Sequence, residues 1–515
     1  MISEFRNHPL TDFSKEANRE KMLTALETVE NQFNRIYPLN IGGKQVETGN
    51  MLQSFNPCDK DQVVGTFHKA GLQEVEQAIA AGQQAFETWR FVPATERADY
   101  LFKAAEIMRQ RQMELNAWMV YEVGKNWVEA DADTAEAIDF LEFYAREMLR
   151  YAEKQPVTPV PGEENELIYI PLGVGAVIPP WNFPLAILTG MTSAAIVTGN
   201  CVLLKPASDS PTIGHKLAEI MQEVNLPAGV LNFIPGSGGT IGDAIVSHPK
   251  IRFIAFTGSK EVGLRINELA AKPREGQIWI KRVIAEMGGK DAIIVDKEAK
   301  LEEAVEGVAV SAFGYQGQKC SACSRAIVDE AIYEEFLTKL LERTRKITVG
   351  PVQDPSNYMG AVINKAAQEK TLKYIDIGKK EGRLVCGGES GPDSGYYIQP
   401  TIFADVDAKA RLAQEEIFAP VLTVIKARDF EHALEIANDT EFGLTGAVYT
   451  QNREKIDRAK KIFHAGNLYL NRKCTGALVG GQPFGGFNMS GTDSKAGGRD
   501  YLLLFLQAKS ISEKV

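Results

Sequence analysis

The spacing of apolar residues changes along the chain, and each spacing predicts a different kind of element. Between residues 72 and 108 apolar side chains recur every three or four positions, which is the period of an amphipathic helix. The apolar positions of the first helix are Leu72, Val75, Ile79, Gly82, Phe86 and Trp89, and those of the next are Leu101, Ala104, Ala105 and Met108. We therefore predict that the amino-terminal part is largely helical.

From Gly173 the pattern changes to short apolar runs, separated by glycine- and proline-rich turns and by helical stretches. The runs are Val174–Ile178, Cys201–Leu204, Val230–Ile234 and Arg252–Phe256. Repetition of this kind is typical of βαβ units and predicts a parallel sheet.

A second series of the same kind follows Glu286–Gly289 and predicts a second α/β domain. Its runs and helical stretches are Ala292–Val295, Leu301–Phe313, Ala326–Val328, Ala331–Arg345 and Val421–Ile425. The segments Tyr151–Ile170 and Tyr501–Val515 fit neither series. Their β-compatible residues favour an arm in which the two segments pair and contact another subunit.

Length, charge and cysteine content narrow the class of protein. A chain of 515 residues exceeds what one core usually organises, so two or three domains are expected. The net charge of −10 is spread along the chain without a basic, aromatic-rich stripe, which argues against nucleic acid as a ligand. Six scattered cysteines favour a reducing compartment, and we expect the cytoplasm. No run approaches the roughly 18 apolar residues of a membrane span, and residues 1–20 lack the apolar core of a secretory signal.

Residues 318–325, Gln-Lys-Cys-Ser-Ala-Cys-Ser-Arg, place a thiol among small residues and cations. Cys320 could be a buried structural cysteine, or with Cys323 it could form a redox pair or half of a zinc site. We expect no metal, because the sequence has no second C-x-x-C and no clustered histidines. As a nucleophile, Cys320 would gain from Lys319 and from a helix amino terminus, since both lower the pKa of a thiol.

A carboxylate and an amide are candidates to act with this thiol. Glu286 precedes Gly288 and Gly289, so the backbone beside it can bend closely around a ligand, although most glutamates are solvated surface charges. Asn182 lies in the turn Pro180–Pro184 and could be an ordinary turn asparagine. That turn directly follows a strand, however, where ligands bind in open α/β sheets. A thiol, a carboxylate and an oxyanion-holding amide together suggest covalent acyl chemistry.

Signals for a dinucleotide cofactor are present but depart from the usual fingerprint. Gly236–Gly242 follows a strand and opens a helix without the G-x-G-x-x-G spacing, and Phe256–Ser259 repeats a strand-to-glycine turn. Lys205–Ser208 puts a cation at the end of a strand instead of an acidic residue. A lysine there can donate to ribose hydroxyls and does not repel a 2′-phosphate, which leaves both NAD and NADP open.

These motifs occur together in an order that resembles the aldehyde dehydrogenase superfamily over nearly the whole chain. They are Pro180–Pro184, Lys205–Ser208, Phe256–Ser259, Glu286–Gly289, Gly317–Cys320, Glu416–Phe418 and Pro483–Gly486. The resemblance implies an α/β fold with two open parallel-sheet domains, one of them Rossmann-like, and a small β oligomerisation arm. It implies a cofactor domain at 1–150 and 171–286, a catalytic domain at 287–488, an arm at 151–170 and 489–515, and a homodimer or larger homo-oligomer.

The resemblance also implies roles for residues. Cys320 would be the nucleophile that forms a thiohemiacetal and then a thioester, Glu286 the general base, and Asn182 the oxyanion donor. NAD is the implied cofactor, with NADP left open because many NAD-preferring members carry glutamate in place of Ser208. The implied cofactor contacts are Ile178, Trp181, Lys205, Ser208, Gly238, Thr257, Gly258, Ser259, Gly288, Glu416 and Phe418.

Two segments indicate the substrate. Lys319–Ser324 and Asn471–Phe484 resemble the 1-pyrroline-5-carboxylate dehydrogenase branch, which implies oxidation of L-glutamate γ-semialdehyde in proline or arginine breakdown. The implied substrate contacts are Phe183, Ser321, Gly476, Ala477 and Phe484. The alternatives are a dehydrogenase for another carboxylated aldehyde such as succinate semialdehyde, a non-catalytic relative that retains the fold, and a thiol-redox or metal protein based on Cys320 and Cys323.

Overall fold

The structure, a computed structural model, describes residues 4–515. Its amino-terminal part combines long helices with five strands of two to ten residues. The elements are α1 (Glu16–Glu30), β1 (Ile36–Tyr37), β2 (Leu39–Ile41), β3 (Lys44–Val46), β4 (Met51–Asn56), β5 (Asp59–His68), α2 (Leu72–Trp89), α3 (Ala94–Gln110), α4 (Gln112–Val123) and α5 (Trp127–Ala152). Both predicted helices are confirmed. The expectation of a largely helical region was wrong for residues 36–68, which form five strands that are partly exposed and so leave only a weak alternation in the sequence.

The first large sheet has seven strands in the order β11-β10-β7-β8-β9-β2-β3. The elements of this part of the chain are β6 (Glu163–Pro171), β7 (Val174–Ile178), α6 (Ala186–Val197), β8 (Cys201–Leu204), α7 (Pro211–Glu223), β9 (Leu231–Phe233), α8 (Asp243–Ser247), β10 (Phe253–Thr257), α9 (Lys260–Ala271) and β11 (Arg282–Glu286). Strands β11 to β9 run parallel, as the sequence predicts, and β2 adds antiparallel to β9. Strand β6 belongs to a separate ribbon.

The second large sheet also has seven strands, in the order β14-β15-β16-β13-β12-β18-β19, and only the edge strand β14 is antiparallel. Its region comprises β12 (Asp291–Val295), α10 (Leu301–Phe313), β13 (Cys323–Asp329), α11 (Tyr333–Thr344), α12 (Lys365–Glu381), β14 (Arg383–Cys386), β15 (Thr401–Ala404), α13 (Arg411–Gln414), β16 (Val421–Ala427), α14 (Phe430–Asn438), β17 (Phe442–Gly443), β18 (Thr445–Tyr449), α15 (Arg453–Ile462), β19 (Asn467–Leu470) and β20 (Phe487–Asn488). None of the helices in residues 4–515 has both the length and the apolar character needed to cross a membrane.

The two segments that fit neither series do pair with each other. Strand β21 (Leu506–Lys514) runs antiparallel to β6, from the pair Leu506 and Pro171 to the pair Lys514 and Glu163. Tyr501–Phe505 is a short 3-10 helix that leads into this ribbon. The α/β fold class is confirmed, and the domain boundaries given above stay a prediction.

The path of the chain brings one edge of each sheet together. Strands β7, β8 and β10 are almost entirely buried, as expected for central parallel strands covered on both faces. Because they are parallel, their carboxyl ends lie at the same edge of the first sheet. Strand β11 ends at Glu286 and β12 begins at Asp291, so residues 287–290 carry the chain from that edge into the second sheet.

The close approach of β7 and β10 gives a test of the packing. Gly175 is paired in register with Phe253, and a Cβ at Gly175 would overlap the Phe253 ring. We expect Gly175→Ala to cost about 1–3 kcal/mol through overpacking and to lower the midpoint of thermal unfolding by several degrees. Gly49→Ala is the matched control, because no atom lies within 4 Å of a Cβ placed there. An unchanged midpoint for Gly175→Ala would contradict this account of the sheet.

Candidate active site

The candidate nucleophile lies at the end of a conformationally strained turn between α10 and β13. Tyr315, Gln316 and Gly317 have φ values of 50°, 56° and 65°. The left-handed region costs a non-glycine residue of order 1–3 kcal/mol, so contacts must hold it. The Tyr315 hydroxyl donates to Val123 O at 3.0 Å, and Gln316 Nε2 donates to Gly124 O at 2.9 Å. These bonds fix the turn from which Cys320 follows.

The electrostatic surroundings of Cys320 differ from the expectation. Burial raises the pKa of the Cys320 thiol, and the carboxyl groups of Asp291, Glu416 and Glu286 raise it further. Lys319 does not offset this effect, because its Nζ pairs with Glu129 Oε1 at 2.7 Å. No helix begins at Cys320, which lies in a turn before β13. The expectation of a lowered thiol pKa was therefore wrong for the free protein.

Glu286 is a buried carboxylate held by well-placed donors, not a solvated charge. It is 9% exposed at the end of β11. Its Oε1 accepts hydrogen bonds from the Ser494 backbone N–H at 3.0 Å and from the Ser494 hydroxyl at 2.7 Å, and its Oε2 accepts from Gly486 N–H at 2.9 Å. Burial raises the pKa of Glu286 to about 7, against these hydrogen bonds, which favour the charged form. The group is thus set to exchange a proton near neutral pH.

The Asn182 side chain reaches from the first sheet to the turn that carries the nucleophile. Asn182 is buried, and its Nδ2 donates to Gln318 O at 3.0 Å, two residues before Cys320. A side-chain amide has two N–H donors. The second N–H of the Asn182 amide remains to donate to a group bound beside Cys320.

Two cavities meet at Cys320. A small cavity of about 110 Å³ is lined by Cys320, Glu286 and every one of the predicted substrate contacts, Phe183, Ser321, Gly476, Ala477 and Phe484. A large cavity of about 380 Å³ is lined by Cys320, Asn182 and the predicted cofactor contacts Trp181, Thr257, Gly258, Ser259, Gly288, Glu416 and Phe418. Cys320, Phe256 and Thr257 line both. The thiol therefore stands where the contents of the two cavities would touch.

Four predicted cofactor residues do not line the large cavity. They are Ile178, Lys205, Ser208 and Gly238. Lys205 is buried directly after β8, and its Nζ donates to Pro206 O at 3.2 Å, while the neighbouring Ala207 does line the cavity. Burial lowers the pKa of Lys205 to about 8.

The residues of the large cavity fit a dinucleotide. Ser259 caps the amino terminus of α9 by accepting from Val262 N–H, and both residues line the cavity. A helix amino terminus attracts phosphate. Glu416 supplies a carboxylate for ribose hydroxyls and is held by the Gly289 N–H at 3.0 Å, while Trp181 and Phe418 pack edge to face beside it.

Glu136 on α5 is a site residue that the sequence analysis missed. It lines the small cavity, where burial raises its pKa to about 8. The two lysines nearest to it are paired elsewhere, Lys125 with Asp133 at 2.8 Å and Lys319 with Glu129 at 2.7 Å. A glutamate on the otherwise apolar stretch from Ala135 to Ile138 was the available signal. Within residues 4–515 no group of three His, Cys, Asp or Glu side chains is placed to hold a metal ion.

Comparison with known proteins agrees with this arrangement. Residues 45–511 match the model of the aldehyde dehydrogenase family. The 1-pyrroline-5-carboxylate dehydrogenases of Geobacillus kaustophilus and Bacillus subtilis are 58% and 55% identical over 513 residues, which cover 100% of this chain and of each relative. The crystal structure of 1-pyrroline-5-carboxylate dehydrogenase from Thermus with bound NAD is 52% identical, covers 100% of both chains and superposes with a TM-score of 0.98.

The raised pKa of Cys320 predicts how fast the thiol is alkylated in the free protein. Only the thiolate reacts, so modification of Cys320 by iodoacetamide should be slow near pH 7 and should still be accelerating above about pH 8.5, where an ordinary thiol is half ionised. Peptide mapping after timed exposure gives the rate, with free cysteine as the reference. A rate that levels off at or below pH 7 would show that the thiolate is stabilised in the free protein.

Proposed function

This chain belongs to the aldehyde dehydrogenase family, and on that basis we propose that it oxidises L-glutamate γ-semialdehyde, the open form of 1-pyrroline-5-carboxylate, to L-glutamate with NAD. The observation that carries the proposal is the position of Cys320 in the wall shared by the two cavities. An aldehyde in the small cavity and a dinucleotide in the large one would meet at this sulfur.

Cys320 acts as the nucleophile in this proposal. Its sulfur adds to the aldehyde carbon, and the carbonyl oxygen becomes an oxyanion. The free N–H of the Asn182 amide and the backbone N–H of Cys320 donate to that oxyanion. Because the pKa of the thiol is raised in the free protein, the thiol must lose its proton to solvent as the ligands bind.

Glu286 then serves as the base for hydrolysis. Bound in the large cavity, NAD would take up the hydride that the tetrahedral adduct on Cys320 releases, which converts the adduct into a thioester. Glu286 removes a proton from the water that attacks this thioester, and Ser494 and Gly486 hold the carboxylate in place. Hydrolysis frees the acid and restores the thiol.

The lining of the small cavity supports the choice of substrate. Ser321 and the glycine-containing loop at Gly476 and Ala477 present a hydroxyl and backbone N–H groups that suit an α-carboxylate. Glu136 provides a carboxyl group for the α-ammonium group, and the positive charge of the bound substrate would lower the pKa of Glu136 and so favour its charged form. Phe183 and Phe484 line the space for the carbon chain. Succinate semialdehyde has the carboxylate but not the ammonium, so Glu136 would separate the two substrates.

We further propose a cytoplasmic homodimer or larger homo-oligomer that assembles through the ribbon of β6 and β21. The support is the antiparallel ribbon itself, which lies outside both large sheets. The Ser208 position leaves NADP as a second cofactor to be measured beside NAD.

The substrate proposal is tested by Glu136→Gln, which removes the charge and keeps the shape. We expect kcat/KM for equilibrated pyrroline-5-carboxylate to fall about 10-fold or more, since a charge-assisted hydrogen bond contributes about 1.5–3 kcal/mol. Oxidation of succinate semialdehyde should be unchanged or faster. Steady-state NADH formation with both aldehydes gives the comparison. Equal losses for the two aldehydes, or a wild-type preference for succinate semialdehyde, would overturn the assignment.

The pH dependence of hydrolysis tests the role of Glu286. Hydrolysis needs the carboxylate, so its rate should rise with pH through the pKa of Glu286 near 7. Ser494→Ala removes a hydrogen bond to the charged form and should raise that pKa, which moves the rising limb to higher pH. Rapid-mixing measurement of thioester breakdown gives the profile. A limb that does not move, or one that persists in Glu286→Gln, would exclude Glu286 as the base.

A further inference from the structure

A fully buried ion pair lies behind the active site. Lys125 Nζ and Asp133 Oδ2 are 2.8 Å apart, and both side chains are 0% exposed. Desolvation of two charges offsets most of their attraction, so such a pair is weak evidence for stability. Its contacts indicate that it positions two segments of the active site.

The Lys125 ammonium lies between two aromatic rings that belong to the two halves of the site. It is 4.0 Å from the centre of the Phe183 ring and 4.7 Å from the centre of the Tyr315 ring. Phe183 directly follows Asn182, and Tyr315 begins the left-handed turn that ends at Cys320. A desolvated cation is attracted electrostatically to the face of an aromatic ring. One charge thus draws both segments to a common point.

The partner carboxylate and the neighbouring backbone reinforce this link. Asp133 Oδ1 accepts from Ala186 N–H at 2.6 Å, which fixes the start of α6 just after the Asn182 turn. Val123 O and Gly124 O, next to Lys125, accept the hydrogen bonds that hold Tyr315 and Gln316. The junction of α4 and α5 therefore contacts both segments, although one follows β7 of the first sheet and the other precedes β13 of the second.

We propose that Lys125 is a positioning residue that sets the distance between the Asn182 amide and the Cys320 thiol. The Asn182 segment and the nucleophile turn are otherwise joined directly by the bond from Asn182 Nδ2 to Gln318 O. A misplacement of about 1 Å in a catalytic group can cost 10²-fold in rate, so a fixed spacing has a direct effect on oxyanion stabilisation. This inference rests on the proposed aldehyde chemistry at Cys320, but not on the identity of the aldehyde.

The test is a double substitution that is measured both in the wild-type protein and in the Asn182→Ala variant. Lys125→Met with Asp133→Asn removes both charges together, keeps the side-chain volumes and leaves an amide oxygen for the Ala186 N–H. At saturating aldehyde and NAD, we expect the rate of NADH formation in the first turnover to fall about 10- to 100-fold. NAD binding and the midpoint of thermal unfolding should stay near the wild-type values.

The same double substitution in the Asn182→Ala variant shows whether Lys125 acts through Asn182. Asn182→Ala alone should retain a measurable rate, since loss of one oxyanion donor costs roughly 10²–10³-fold. With that amide absent, the double substitution should lower the rate by less than about 3-fold, because coupled residues are not additive. An equal loss in both backgrounds, or no loss in either, would overturn the proposal. Lys125→Arg, which keeps the cation and its pairing, should restore most of the rate that Lys125→Met loses.

Two further variants serve as a control and as a substitute for the double variant. Lys455 and Asp296 form a similar pair at 2.7 Å, with Lys455 near the Phe430 ring at 5.6 Å, and line neither cavity. Lys455→Met with Asp296→Asn should leave the first-turnover rate unchanged. If the Lys125 double variant does not fold, Phe183→Leu serves in its place, because it keeps both charges. It should lower the first-turnover rate several-fold when Asn182 is present and much less in the Asn182→Ala variant. All rates are measured with the aldehyde that the wild type oxidises best, so failure of the glutamate semialdehyde assignment is seen separately.

Discussion

The left-handed backbone at Tyr315, Gln316 and Gly317 is the constraint on which the site depends, because it decides where Cys320, the proposed nucleophile, lies. Two non-glycine residues hold an unfavourable conformation there, and hydrogen bonds from their side chains to the junction of α4 and α5 stabilise it. At Gly317 a Cβ would overlap Ala419 O, so only glycine fits. Helix packing in the amino-terminal part thus determines the geometry at Cys320, far away in the sequence.

The burial of the site groups determines their pKa values, and this matters for the chemistry as much as where the groups lie. Glu286, Glu136, Asp291 and the Cys320 thiol all lie where water is scarce, and in each case burial is the largest cause of a raised pKa. In such a medium like charges repel strongly, so adding a thiolate beside these carboxyl groups is unfavourable before ligands bind. The free protein therefore keeps its nucleophile neutral. In the proposed reaction, the donors at Asn182 and Cys320 stabilise negative charge on the substrate oxygen instead.

The sequence predicted those features that depend on local pattern or on a motif. The parallel strands were visible as apolar runs, and all five predicted substrate contacts line the small cavity. The sequence could not show the features that depend on contacts between residues far apart in the chain. Lys319 pairs with Glu129 on α5 and so does not activate the thiol, and Glu136 enters the cavity because α5 packs beside it. The strands between residues 36 and 68 were missed because their alternation is weak.

In the proposed reaction, oxidation passes through an acyl group on Cys320 that Glu286 then helps to release. Rapid mixing of the Glu286→Gln variant with NAD and equilibrated pyrroline-5-carboxylate shows whether this acyl group forms. We expect a burst of NADH stoichiometric with subunits, followed by slow turnover, and no burst when Cys320→Ser is added. Wild-type steady turnover without a burst in Glu286→Gln, or a burst that survives Cys320→Ser, would rule out this reaction path.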